Sequence, residues 1–551
     1  MSLNHAQTEA VAHNKGPCMV LAGPGSGKTL TIAKRIEYLI MKHKVRPEEI
    51  LVITFTKYAA WEMKNRTRSI CGPSSYAVTF GTFHGIYYGI LKWAYRLNQS
   101  NLLSDEEKYR ILREILPGID WDQEPEADEE KDYLQELAIE IGNVKNNCMD
   151  IEEYEPVKYT TEKFRKLYRT YEETKKKYRK IDFEDMLIQC RDLFMKRPDI
   201  LKKWQEKFQY ILVDEFQDVN QAQYDVVRML AAPQDNLFVV GDDDQSVYGF
   251  RGAKPGIMME FMKDYPKARQ ILLDVNYRSS GYIVKGALRV IGNNKIRFEK
   301  KIEAFRKPDE TVHVQEVKDP VQEAEYVLER IREYREKGVS YTEMAVLYRT
   351  NVDARAMSEL MTEYQIPFVM KEHLNNIYEH FIALDMISYL RLSQGEYDRK
   401  YFLQIANRPN RYLTRESMKT GNVSYESLRR YYRDKDWMVD RIDQLEWDMK
   451  MICDKTPYAA IQYIRKRMGY DEFLKEYALL EEIWQNSKGY GTIKEWFEHI
   501  ESYGKMLKEQ NKKNGEKEGV NLMTMHAAKG LEFDTVFVIE ANEGSCPYKK
   551  A

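Results

Sequence analysis

An apolar run, PCMVLAG (17–23), passes through a glycine-rich turn, GPGSGKT, into the amphipathic stretch TLTIAKRIEYLIMKH. A buried strand that turns through small residues straight into a helix commits this part of the chain to an α/β fold. Residues 20–29, VLAGPGSGKT, fit the pattern [AG]-x-x-x-x-G-K-[ST], with Ala22 where the stricter form has glycine. Gly23, Gly25 and Gly27, with Pro24 and Ser26 between them, let backbone N–H groups close around phosphates at a helix N-terminus. In such a loop Lys28 reaches the β- and γ-phosphates of ATP and the Thr29 hydroxyl ligates Mg²⁺. The alternative is a glycine-rich turn that holds no ligand. Strand, glycines, Lys-Thr and helix in that order weigh against it.

The chain has 551 residues, more than one core of about 250–300 residues accommodates. Two stretches read as parallel-sheet cores. The first comprises PCMVLAG, ILVITFT (50–56), YAVTFGTFH (76–84), YILVDE (210–215) and LFVVGD (237–242). The second comprises QILLDVNYRS (270–279), EMAVLYRTN (343–351) and NLMTMHAAKGLEFDTVFVIE (521–540). Each is interrupted by a long, charged, mainly helical pattern, so the expected class is α/β with two cores, each carrying an insertion. The run KKKYRK (175–180) reads as a solvated helix face. Net charge is −2, from 85 basic and 87 acidic residues, so any nucleic-acid contact needs a local groove rather than an overall cationic pull. Six scattered cysteines without a C-x-x-C pair argue against a zinc or iron–sulfur site and for a reducing compartment. No apolar run reaches 18 residues and the N-terminus lacks a signal core, so the expectation is a cytoplasmic protein without membrane contact.

A phosphate loop alone does not choose among kinases, switches and motors. YILVDEFQD (210–218) narrows the choice, because an apolar strand ends in two acids. Asp214 is placed to hold magnesium through water, and Glu215 to orient and deprotonate an attacking water, which points to hydrolysis rather than transfer. The stretch GDDDQSVYGFRGA (241–253) raises a separate question, with three carboxylates, one amide and two aromatics in thirteen residues.

Together these segments resemble the UvrD/Rep/PcrA group of superfamily 1 helicases, in order and over nearly the whole chain. LNHAQTEAV (3–11), VITFTKYAAWEMKNR (52–66), GTFHGIYYGIL (81–91), DEFQD, GDDDQSVYGFRGA, LDVNYRSS (273–280), LYRTNVDAR (347–355) and TMHAAKGLEFD (524–534) carry the likeness. The resemblance implies two RecA-like motor domains. The first covers 1–88 and 205–275, with an insertion at 89–204. The second covers 276–380 and 506–551, with an insertion at 381–505. It implies that Gln7 reads the adenine edge and that Gln245 senses the γ-phosphate. Arg278 becomes an arginine finger from the second motor, Tyr277 stacks on adenine, and Gly530 and Glu532 meet the γ-phosphate and ribose. A guanidinium suits the spreading charge of phosphoryl transfer. Arg278 as a structural ion-pair residue and Tyr277 as plain core are the alternatives.

For DNA, the same motifs supply Phe55, Tyr248 and Phe250 as stacking surfaces, with Thr56, Arg251 and Arg355 beside them. Base–aromatic stacking tolerates any sequence, as a stepping motor requires; an ordinary buried aromatic cluster is the alternative. His84 and His526 are either DNA-facing or satisfied core histidines. The expected partner is single-stranded DNA with a duplex junction, and the implied activity is ATP-driven 3′→5′ translocation and unwinding. A non-motor ATP- and DNA-binding protein is the second reading. A metabolic P-loop kinase leaves the second core unexplained.

Three places depart from the family pattern. Leu30 follows Thr29 where relatives place an arginine. NRPNRYLTRESM (407–418) stands where relatives have a Gly-Ile-Gly turn that grips duplex DNA. The sequence also stops at ANEGSCPYKKA, before the last helicase motif and its second arginine finger. That reads as a fragment of a longer protein, with hydrolysis expected to be impaired.

Overall fold

The computed structural model of the chain describes residues 3–119, 130–247, 249, 253, 254, 256–306, 311–370, 376–419, 423–474, 478–512 and 518–546. The chain forms two compact units, Met1–Val314 and Gln315–Ala551.

The first unit is built on six strands: β1 (Cys18–Ala22), β2 (Ile50–Thr54), β3 (Thr79–Thr82), β4 (Tyr210–Val213), β5 (Leu237–Gly241) and β6 (Arg269–Leu273). They form one parallel sheet in the order β3-β2-β4-β5-β1-β6. β1, β2, β4 and β5 are buried at every residue, as a parallel sheet covered on both faces demands of its central strands. Since all strands run the same way, the turns after β1, β4 and β5 leave from the same edge. These three strands are neighbours, so GPGSGKT, DEFQD and GDDDQ are gathered at one place, the carboxyl edge where α/β sheets bind ligands.

The stretch QILLDVNYRS does not belong to one core. Its first part is β6, an edge strand beside β1. Beyond Asp274, β7 (Val275–Ser280) pairs in parallel with β8 (Glu303–Arg306), within the same unit. The apolar QILL suits a sheet; the polar VNYRS that follows suits a loop edge.

Between β3 and β4 the described residues are mainly helical, and residues such as Leu112, Leu137, Phe164, Leu167 and Tyr171 give that region a core of its own. The run KKKYRK is not wholly a solvated face. Lys176 and Lys177 are exposed, but Lys175 is 1% exposed. Its Nζ donates to Asp182 (2.7 Å), as does Lys145 Nζ (2.8 Å), and both lysines also meet Asp185 and Glu172. These three carboxylates lie within 4.8 Å of one another. The two ammonium groups are shared among all three, which makes the cluster an internal ion network.

The second unit has a four-stranded parallel sheet in the order β10-β11-β9-β12: β9 (Met344–Tyr348), β10 (Phe368–Met370), β11 (Val520–Thr524) and β12 (Thr535–Val538). The helices between β10 and β11 share one continuous core with that sheet, running from Ile331 and Val346 through Met386 and Tyr389 to Trp496. Among the described residues, no helix is long and apolar enough to cross a membrane.

Candidate active site

β1 delivers Gly23 to the sheet edge, and the helix Lys28–Met41 starts five residues later. Gly25 and Gly27 have φ of +64° and +83°, the left-handed region that side chains disfavour. Neither has room for one. A Cβ on Gly25 would lie 2.6 Å from Arg278 Cβ, and one on Gly27 would lie 2.9 Å from Gln7 Nε2. Gly27 is also the N-cap, and no side chain among the described residues caps that helix end. The first-turn N–H groups and the positive end of the helix dipole therefore remain available to an anion. Ser26 is buried and donates its hydroxyl to the Gly23 carbonyl (2.7 Å), which fixes the loop from inside.

A short chain of hydrogen bonds ties the first helix to this loop. Gln7 Nε2 donates to the Ser26 carbonyl (2.9 Å), and its Oε1 accepts from the Asn4 N–H (3.0 Å). The Asn4 side chain caps the helix His5–Ala12 and donates from Nδ2 to the Tyr277 hydroxyl (2.9 Å). The Tyr277 N–H donates to the Gly25 carbonyl (2.9 Å). Asn276 Oδ1 accepts from the N–H groups of Arg278 (2.9 Å) and Ser279 (2.8 Å), shaping the backbone that carries the guanidinium. Gln7, the phosphate loop, Tyr277 and Arg278 are thus brought together. Asn4 and Asn276, which join them, were missed, although both sit inside the motifs quoted above. The Tyr277 ring also meets Phe305, 5.1 Å between centroids.

At the end of β4, Asp214 is 7% exposed and Glu215 adopts φ +50°. Glu215 Oε2 lies 3.5 Å from Lys28 Nζ and accepts from Gln217 Nε2 (2.6 Å). Gln217 in turn accepts from the Asp242 N–H (2.9 Å), so it bridges the ends of β4 and β5. Burial, with the like charge of Glu215, pushes the Asp214 carboxyl up to about 7, against the pull of Lys28 and a hydrogen bond from the Glu215 N–H. Burial alone would lower Lys28, but Glu215, Asp214 and Asp242 together hold its ammonium above the ordinary lysine range. A buried acid that resists ionisation until more positive charge arrives suits a hard divalent cation. Asp214 and the Thr29 hydroxyl, on the first turn of the loop helix, are oxygen donors of the right class.

The acid turn after β5 is paired with cations from within the protein. Lys300, its side chain 1% exposed, donates to Asp242 (2.6 Å) and Asp243 and pairs with Asp244 (2.8 Å). Arg297 grips Asp244 with two bonds of 2.7 and 2.6 Å, and the Phe298 N–H donates to Asp243 (2.7 Å). Gln245 donates from Nε2 to the other oxygen of Asp242 (2.8 Å). Arg297 and Lys300 were also missed. Three consecutive acids at the end of a buried strand were the available signal, since such a turn demands cations.

Comparison with known proteins follows the same layout. The family model of the UvrD/REP helicase N-terminal domain matches residues 3–266. That of the UvrD-like helicase C-terminal domain matches 271–444 and 470–551. The chain belongs to the UvrD/REP family of ATP-dependent DNA helicases. The putative ATP-dependent DNA helicase YjcD of Bacillus subtilis is 34% identical over all of this chain and 74% of its own length. The ATP-dependent DNA helicases PcrA of Staphylococcus aureus and Staphylococcus epidermidis are 31% identical, over all of this chain and 79% of theirs. The two parallel sheets are the RecA-like pair of this helicase family.

The remaining residues named from the helicase motifs are distributed as follows. Phe55 is half-buried, and the exposed Thr56 caps the helix Lys57–Cys71 through a bond from the Ala59 N–H (3.0 Å). His84 meets Phe183 edge-on at 5.6 Å; burial lowers its pKa, with Glu184 opposing. In the second unit His526 Nδ1 lies 3.4 Å from Arg349, Gly530 has φ +82°, and Glu532 is exposed. Arg355 is 6% exposed and engages Glu359 (2.9 Å), Glu482 (3.0 Å) and the Tyr378 hydroxyl (2.7 Å). Its guanidinium faces the core of its unit, where the sequence placed it toward DNA. Tyr248, Phe250 and Arg251 lie outside the described residues.

Proposed function

We propose that the chain is an ATP-driven motor that travels 3′→5′ on single-stranded DNA and opens a duplex ahead of it. The observation that carries the reading is the gathering of Lys28, Asp214, Glu215 and Gln245 on neighbouring strand ends, with Tyr277 and Arg278 folded onto the phosphate loop. Lys28 and the loop N–H groups hold the β- and γ-phosphates. Glu215, set by Gln217, orients the attacking water and takes its proton. Arg278 balances charge that develops on the transferred phosphoryl group. Thr29 and Asp214 would hold a magnesium ion, which would supply positive charge to offset that of the phosphates. Gly530 and Glu532 complete the nucleotide contacts from the second motor. Phe55, Tyr248 and Phe250 stack on bases, with Thr56, His84, Arg251 and His526 along the strand. Six unpaired cysteines suit a reducing, cytoplasmic setting.

The test is unwinding of two duplexes that differ only in carrying a 3′ or a 5′ single-stranded tail. The 3′-tailed duplex is opened and the 5′-tailed one is not; the reverse preference, or no unwinding of either, overturns the reading. Phe250→Ala weakens single-strand binding while ATP affinity stays near wild type. Binding falls with salt, with a slope near −0.7 per neutralised phosphate.

A further inference from the structure

The segment that follows β7 returns to the active-site edge at residues 297–302 and touches two places there. Ile302 packs on the phosphate loop so closely that a Cβ on Gly23 would lie 2.7 Å from its Cδ1. Two residues earlier, Lys300 is buried among Asp242, Asp243 and Asp244. Asp242 is fully buried and its two oxygens are divided, one to Lys300 (2.6 Å) and the other to Gln245 Nε2 (2.8 Å). β7, from which this segment runs, carries Tyr277, whose N–H donates to the Gly25 carbonyl of the loop, and Arg278, whose Cβ closes off the space beside Gly25. Three adjacent carboxylates repel one another, and without a central cation the turn would open to separate them. Arg297 alone does not replace that cation, since its two bonds both go to Asp244.

We propose that Lys300 is the positioning residue of the nucleotide-sensing turn: by clamping Asp242–Asp244 it fixes Gln245 through Asp242 and couples that amide to the segment carrying Ile302, Tyr277 and Arg278. The proposal rests on the reading of Gln245 as the γ-phosphate sensor. Lys300 touches no nucleotide; it sets where the sensing amide stands.

The experiment compares the full chain with Lys300→Met, Lys300→Arg, Gln245→Ala and the double variant Gln245→Ala/Lys300→Met. Affinities for ATPγS and for ADP are measured without DNA, by displacement of a fluorescent ADP. Lys300→Met lowers the preference for triphosphate over diphosphate about tenfold while ADP affinity stays within about threefold, a coupling of the size found between contacting groups. Lys300→Arg restores most of the preference, and Lys300→Met adds nothing in the Gln245→Ala background. Should Lys300→Met fail to fold, the charge-balanced Asp242→Ala/Lys300→Met shows the same loss of preference. Three results overturn the proposal: an unchanged preference, a parallel fall in both affinities that marks a mere structural prop, or additive effects in the double variant. DNA-stimulated hydrolysis is scored separately on the wild type. Its absence sinks the helicase reading, whereas the DNA-free nucleotide preference speaks only to Lys300.

Discussion

The ends of β4 and β5 are neighbouring turns with the same kind of residue and opposite electrostatics. Of its three acids, DEFQD presents the carboxylates of Asp214 and Glu215 around Lys28, which lies 3.5 Å from Glu215, and the Asp214 carboxyl rises to about 7. GDDDQ presents three, yet Lys300 and Arg297 sit directly on them. Burial resists ionisation of Asp244 too, but Arg297 and Lys300 outweigh it and hold its carboxyl below the usual range. Acid content therefore does not locate the reaction; the balance of cations does. The turn whose buried acid resists ionisation is prepared to receive a metal–nucleotide complex, and the turn whose acids are each paired with a cation holds Gln245, the proposed sensing side chain, at a fixed place.

The comparison is most exposed at Glu215. Glu215→Gln keeps the fold and ATP binding but lowers DNA-stimulated turnover by about 10²–10⁴, the range for loss of a general base. Steady-state hydrolysis beside an ATP titration checks it. A comparable loss of turnover in Asp243→Asn would erase the distinction between the two turns.

Next in size is a pH effect. The folded state holds the Asp214 proton to about pH 7, whereas an unfolded aspartate releases it near 4. Between these values the folded state binds more protons, so stability falls as pH rises and levels off above about 7. The full difference is on the order of 4 kcal/mol, an upper figure because Glu215 and Lys28 share the titration. Thermal unfolding of the nucleotide-free protein from pH 5 to 8 shows this loss relative to Asp214→Asn, in which it is absent. Parallel pH profiles of the two proteins would contradict the unequal charge balance.

A smaller effect belongs to Gln217. Gln217→Ala leaves the Asp242 N–H without its acceptor and takes one donor from Glu215, which keeps Lys28, costing about 1–3 kcal/mol. Urea unfolding measures the cost, and turnover falls while ATP affinity changes little. The smallest concerns the adenine side. Asn4→Ala removes a helix cap worth about 1 kcal/mol and the bond to Tyr277, so ATP affinity drops a few-fold without a change in DNA binding.

Much of this arrangement was legible in the sequence, for physical reasons. PCMVLAG, ILVITFT, YILVDE and LFVVGD are apolar throughout and end in chemistry-bearing turns, so strand identity and site could be read together. What stayed hidden depends on partners distant in sequence. The buried Lys175 reads like the exposed Lys176 beside it until the fold closes Lys145, from a different helix, onto the same Glu172, Asp182 and Asp185. Lys300 is likewise anonymous in RFEKK until β5 brings the three aspartates to it. Arg355 looked like a groove cation, but Glu482, 127 residues away, draws it inward. QILLDVNYRS misled as one unit because its apolar half and its polar half belong to different sheets.

The central claim, that Lys28, Asp214 and Glu215 form the hydrolytic centre of a DNA-dependent motor, is tested most directly by ATP hydrolysis with and without single-stranded DNA. Wild-type protein and Lys28→Ala are measured side by side. The account predicts strong stimulation by DNA in the wild type and none in Lys28→Ala. Hydrolysis indifferent to DNA, or stimulation that survives Lys28→Ala, would contradict it.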